Sequence, residues 1–110
     1  MADEKILTNA QEDESSTLVK FSKAYRFEGK DYTEVDLSGM DDLSAEDMIA
    51  ADRYLTRSGS FSVMPEMTLE YACFIASRAA KQPIEFFRGL PPKDALKVKN
   101  RVTSFFYSED

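Results

Sequence analysis

Histidine and tryptophan are absent from this 110-residue chain, and cysteine occurs once. Without an imidazole there is no Ser-His-Asp or Cys-His nucleophilic site and no histidine-based metal site. A single thiol builds neither a thiolate cage nor an internal disulfide. Catalysis is left to carboxylates. The pair at helical spacing, Glu66 and Glu70, falls near an expected helix start, where acids complement the positive helix end in any case. We therefore expect no enzyme, no cofactor and no bound metal. Basic excess is lacking too: 14 Lys and Arg stand against 20 Asp and Glu, a net charge of −6. That balance disfavours nucleic acid and anionic membrane as partners. No window approaches the roughly 18 apolar residues of a membrane span, and the first ten residues lack a basic-then-apolar signal. The expected location is the cytosol.

What remains is ample for a core. The chain is 43% apolar and 12% aromatic, and its length is that of one domain. Charge is uneven along it: residues 1–16 carry −4, residues 17–40 balance, residues 41–64 carry −3, and residues 65–110 carry +1. The first segment offers only Ile6 and Leu7 as large aliphatics and is expected to be a disordered acidic leader. Residues 17–110 are then a single α+β domain, mostly helical, with a β-hairpin followed by three main α-helices.

The hairpin is expected over about 17–37, where two runs rich in aromatic and β-branched residues flank the polar turn Glu28-Gly29-Lys30-Asp31. Val19, Phe21, Lys23, Tyr25 and Phe27 share one parity and form its sticky face. Two strands alone are marginal in water, so that face must pack on the helices or on another chain. The first helix, over about 45–57, starts at a near capping box of Ser44 and Asp47 and ends at Ser58-Gly59. Its stripe is Met48, Ala51 and Leu55, with Ile49 and Tyr54 beside it. The acids Asp41 and Asp42 lack calcium-loop spacing and read as complements of the helix dipole.

Pro65 fits the first position of a second helix, over about 66–81. Glu66, Glu70, Ser77 and Lys81 fall in one narrow wedge of it, and most of the remaining circumference is apolar. Such a helix is central, either wrapped by its own domain or partly against another chain. Cys73, inside the apolar run, is expected to be a small core residue. A short turn at Ile84–Phe87 closes at Gly89, and Pro91-Pro92 opens the last helix, over about 92–107. Ala95, Val98, Val102, Phe105 and Phe106 form its apolar stripe, opposite Lys93, Lys97 and Arg101. The basic side is expected to be solvated, with partner docking and phosphate tracking as rival readings. The terminal Phe105-Phe106-Tyr107 either folds onto the core or awaits a partner.

Five segments in order then carry a resemblance: Phe27 to Gly39, Asp42 to Asp47 heading a helix, Pro65 to Ala72, Pro83 to Phe87, and Leu90 to Asp94 before a helix ending in Phe105-Phe106. Together, over about Tyr25 to Tyr107, they resemble the small tail assembly chaperones of long-tailed bacteriophages and prophages. The resemblance implies a noncatalytic escort in the bacterial host cytoplasm, absent from the mature virion. Its implied client is the hydrophobic, helical tape measure protein, kept soluble until tail tube subunits polymerise. A longer frameshifted form of the chain is a further implied partner, and self-association into an oligomer is open. Apolar surface suits that role, and Tyr71, Phe74, Phe86, Phe87, Phe105 and Phe106 are the candidate partner-binding residues, each equally able to be core. The rival reading is a structural tail or head-tail connector protein.

Overall fold

The structure is a computed structural model that describes residues 17–59, 62 and 64–107. The leader expected over residues 1–16 lies outside the described residues. Two antiparallel strands, β1 (Leu18–Phe27) and β2 (Lys30–Asp36), are followed by a 3-10 turn (Ser38–Asp42), helix α1 (Ala45–Arg57), a second 3-10 turn (Pro65–Met67), and helices α2 (Leu69–Ala80), α3 (Ile84–Arg88) and α4 (Pro92–Phe106). The α+β, mostly helical expectation is thus met.

The hairpin closes through Glu28 and Gly29, both at positive φ (50° and 83°), the sense of twist that a two-residue loop between right-twisted strands needs. Tyr25 pairs with Tyr32 and Phe27 with Lys30, whereas further along Val19 pairs with Val35 and Lys20 with Glu34. Between these two registers β1 carries extra residues, a bulge that includes Ser22 and Lys23. Lys23 is exposed within it. Val19 and Phe21 are buried, Tyr25 and Phe27 half-buried, so the sticky face faces the helices.

Phe86 on α3 fills that face. It is fully buried, and its ring centroid lies 6.3, 5.3, 5.2 and 4.9 Å from those of Phe21, Tyr25, Phe27 and Tyr32. The contacts to Tyr25, Phe27 and Tyr32 are edge-to-face, the favourable sense for ring quadrupoles. The Tyr25 hydroxyl donates to the Phe86 carbonyl at 2.8 Å, tying the strand to the same helix.

The outer edge of β1 is held by α4. Asp94, fully buried, accepts the Ser22 N–H at 2.9 Å and the Ser22 hydroxyl at 3.1 Å. Lys97 donates to the Lys20 carbonyl at 2.8 Å and Arg101 to the Leu18 carbonyl at 3.3 Å. Positions 94, 97 and 101 share one flank of a helix, and positions 18, 20 and 22 share one edge of a strand, so the two repeats mesh. This corrects the solvated basic face: Lys97 and Arg101 bond backbone carbonyls, and Lys93 stays exposed. An unpaired strand edge next to a helix supplies acceptors that a composition-level view of α4 does not contain.

Two expected helix features are corrected. α2 begins at Leu69 and not at 66, because Thr68 caps it: the Thr68 hydroxyl accepts the Tyr71 N–H at 3.2 Å and donates to the Pro65 carbonyl at 2.8 Å. Pro65 instead opens the 3-10 turn. Position 66 therefore lies outside α2, and Glu70 lies within it. On α1, Ala51 and Leu55 are buried as expected, but Met48 and Ile49 are exposed, so the stripe is only half covered. The capping box is present, with Asp47 accepting the Ser44 N–H at 2.9 Å. Lys81 ends α2 in the left-handed conformation, φ 58°. Gly39, in the first 3-10 turn, lies so close to α2 that a Cβ there would stand 2.2 Å from the Ala79 carbonyl oxygen.

Asp94→Ala should lower stability by about 2 kcal/mol, because it strands the Ser22 N–H beside a helix. Ser22→Ala, which keeps that N–H paired, should cost less, and urea midpoints at unchanged slope compare the two. The Ser44 N–H, and with it the Arg78 guanidinium 2.7 Å away, hold the Asp47 carboxyl below the usual carboxylate range. A depressed folded value means stability present above the unfolded pKa, about 3.9, and lost as pH falls through the folded one. Asp47→Asn should thus melt lower than the native chain at neutral pH, by an amount worth about 1 kcal/mol, with the gap closing in acid. Melting curves from pH 7 downward check this.

Candidate functional site

α2 is the axis about which the other elements are arranged. At one end Arg78 joins α1 through Asp47 and lies 5.0 Å over the Phe74 ring. At the other end Glu70 accepts from Arg88 of α3 at 3.4 Å and from the Ser58 hydroxyl at the end of α1, also at 3.4 Å. Arg88 also donates to the Tyr54 hydroxyl. Both ion pairs are partly exposed and fix orientation more than they stabilise.

Beside the Glu70–Arg88 pair the first turns of α2 and α4 do not close on each other. They leave an apolar groove of about 570 Å³, walled by Leu69, Cys73, Phe87, Leu90, Pro92 and Ala95, with Thr68, Glu70 and Arg88 at its margin. Leu69, 39% exposed, forms one lip. Leu96, 50% exposed, stands one turn beyond Pro92 on the same flank of α4. A shallower groove of about 410 Å³ runs between α1, α2 and α3, lined by Tyr54, Phe74, Pro83 and Ile84 among others.

The six aromatic candidates separate cleanly. Tyr71, Phe86 and Phe87 are buried, the core alternative that the sequence left open for each, and Phe87 also lines the groove. Phe74 is half-buried under Arg78 and 5.3 Å from the Tyr54 ring. Phe106 is half-buried with its edge toward Tyr71, 6.0 Å between centroids. Phe105 alone of the six is exposed, at 38%.

The chain matches no protein-family model, no curated protein and no solved structure. Its site must be read from its own residues.

Sequence reasoning left the expected helix that carries Met67 and Leu69 open to another chain without singling out either, and it missed Leu96 and the exposed methionines Met48 and Met64. Leu69 lay inside a run that looked apolar on most sides, and nothing in the run distinguished its lip position from a wall. Leu96 carried a usable signal, since it sits off the Ala95, Val98 and Val102 stripe. Among the described residues, no group of three His, Cys, Asp or Glu is placed to hold a metal ion, and no helix is long and apolar enough to cross a membrane.

Cys73 lines the groove as a neutral group. Burial, reinforced by Glu70 and opposed by Arg88, pushes its thiol up to about 11. At pH 8 it should resist iodoacetamide in the native state and react fully once the chain is unfolded in urea, a contrast that mass spectrometry of the alkylated protein records.

Proposed function

We propose that this chain is a noncatalytic escort of phage tail assembly, which binds the hydrophobic, helical tape measure protein and keeps it soluble until the tail tube polymerises around it. The observation that carries this reading is the apolar groove between α2 and α4, with Leu69 exposed at its lip. An amphipathic or apolar helix docks by laying side chains at three- and four-residue spacing into such a groove. The exposed methionines suit a client of variable sequence, because an unbranched thioether repacks at little cost. The five sequence segments that resemble tail assembly chaperones supply the identity of the client.

Charge placement supports the same role. Residues 1–16 carry −4 and residues 108–110 carry −2, so the whole of the net charge of −6 lies in the two ends and residues 17–107 are neutral. A binding body without net charge, flanked by acidic ends, can hold a hydrophobic client while the complex as a whole repels its neighbours.

Co-expression with the tape measure protein of the same genome tests the reading. The client should be recovered soluble, in a complex that survives gel filtration. Leu69→Asp should leave the melting temperature near that of the native chain and weaken the complex by about 2 kcal/mol or more, a roughly thirtyfold loss of affinity. A client that stays insoluble beside the native chain overturns the proposal.

A further inference from the structure

Residues 1–16 join the described structure beside the later turns of α4. The Leu37 N–H donates to the Thr17 carbonyl at 2.7 Å, and Arg101 donates to the next carbonyl, that of Leu18. From there β1 runs antiparallel to α4, reaching Asp94 at Ser22. The groove between α2 and α4 lies toward that far end, where Pro92 and Ala95 form one wall. Arg101 and Pro92 are nine residues apart, about 14 Å of helix. Ile6 and Leu7, the aliphatic pair of residues 1–16, stand eleven and ten positions before Thr17, and ten residues of extended chain span up to about 33 Å. The pair reaches the groove with slack. A tether of this length presents it at an effective concentration on the order of millimolar, so a contact too weak to hold two separate molecules together suffices within one.

Two apolar surfaces lie within that reach, and charge separates them. The nearer is the last turn of α4, where Phe105 is exposed one turn past the start of β1. Ser108-Glu109-Asp110 follow it in sequence and repel a segment that itself carries −4. The farther is the groove. Arg88 stands at its margin, Lys93 is exposed next to Pro92, and Lys99 lies one turn beyond Ala95 on the same flank of α4. Glu70, the acid of this margin, is already held by Arg88. Acids flank the aliphatic pair on both sides, Asp3 and Glu4 before it and Glu12, Asp13 and Glu14 after it, with Lys5 as the single base. An apolar pair between acids thus matches an apolar groove bordered by cations from α3 and α4.

We propose that Ile6 and Leu7 occupy the groove between α2 and α4 of their own chain when no client is bound, with the flanking acids turned to Arg88, Lys93 and Lys99. The contact is an intramolecular cover. It shields the groove from water in the free chain, and an apolar client helix must displace it. Displacement returns the acids to solvent, where their charge keeps one loaded complex apart from the next. The proposal rests on the reading of the groove as a docking site for apolar segments, and it does not depend on who the client is.

Paramagnetic relaxation in the full chain, with no client present, tests it. Thr8→Cys combined with Cys73→Ala places one nitroxide next to the aliphatic pair. Loss of amide signal should be greater at Leu69, Leu90 and Ala95 than at Leu18 and Arg101, which lie nearer to where residues 1–16 enter. Adding Ile6→Asp and Leu7→Asp to the labelled chain should restore the groove signals, with a melting curve to verify the fold. Signal loss that is greatest beside Thr17 and fades with distance from it overturns the proposal, and so does groove broadening that survives the two aspartates. Nitroxide-bearing chain mixed with unlabelled, isotope-enriched chain should leave the groove of the latter sharp. Broadening of equal size there overturns the proposal and seats the pair in a second copy. In the chain without nitroxide and with Cys73 intact, the same two aspartates should shift the amide signals of Leu69, Cys73 and Ala95. Signals that stay in place overturn the proposal even if the labelled variant misfolds. Co-expression with the client is a separate measurement, and its failure leaves this one standing.

Discussion

A two-stranded sheet has one internal ladder, so half of its backbone edge and all of its apolar face depend on something else. In this molecule that dependence organises the fold. The face is filled by Phe86, around which Phe21, Tyr25, Phe27 and Tyr32 gather. The edge of β1 is held by Asp94, Lys97 and Arg101. These bonds join the beginning of the described chain to its last helix, across 72 to 83 positions of sequence. The hairpin therefore depends on the far end of the described chain for its outer edge. It is complete only when α4 has arrived, and loop closure on that scale is a cost that local helix formation does not share.

The same arrangement explains where apolar surface is left over. α4 is pinned to β1 along one flank, which fixes its angle to α2. At its first turn that angle leaves the groove of Leu69, Cys73, Phe87, Leu90, Pro92 and Ala95 open. At its last turn it carries Phe105 beyond the start of β1. The polar clamp and the exposed grease are thus two consequences of one docking geometry.

Aromatic residues divide by the same logic. Tyr71, Phe86 and Phe87 are buried in the shared core, Phe86 against the hairpin rings, Phe87 against Phe86 and Tyr71 against Phe106 of α4. Phe74 and Phe106 are half-buried, Phe74 against the Tyr54 ring and Phe106 against those of Tyr71 and Phe105. Phe105 is exposed, with no such element over it among the described residues. Burial, and hence availability to a partner, follows from how many elements converge on a position and not from the residue type.

Much of this was legible in the chain. The alternation from Val19 to Phe27, the Glu28-Gly29 turn, the Ser44 and Asp47 capping box, and the Ala95, Val98 and Val102 stripe are local patterns, set by the periods of strand and helix and by the hydrogen-bonding needs of helix ends. They determined the order and type of the elements. The helix start at Thr68 was a local signal too, concealed behind Pro65. What no local pattern contained was the partner of each surface. Asp94 and Arg101 became buried, Leu69 became the lip of a groove, and Gly39 became a site of close approach to Ala79 only when distant segments met. Periodicity states which side of a helix is greasy; the packing of one element on another decides how much of that side is covered.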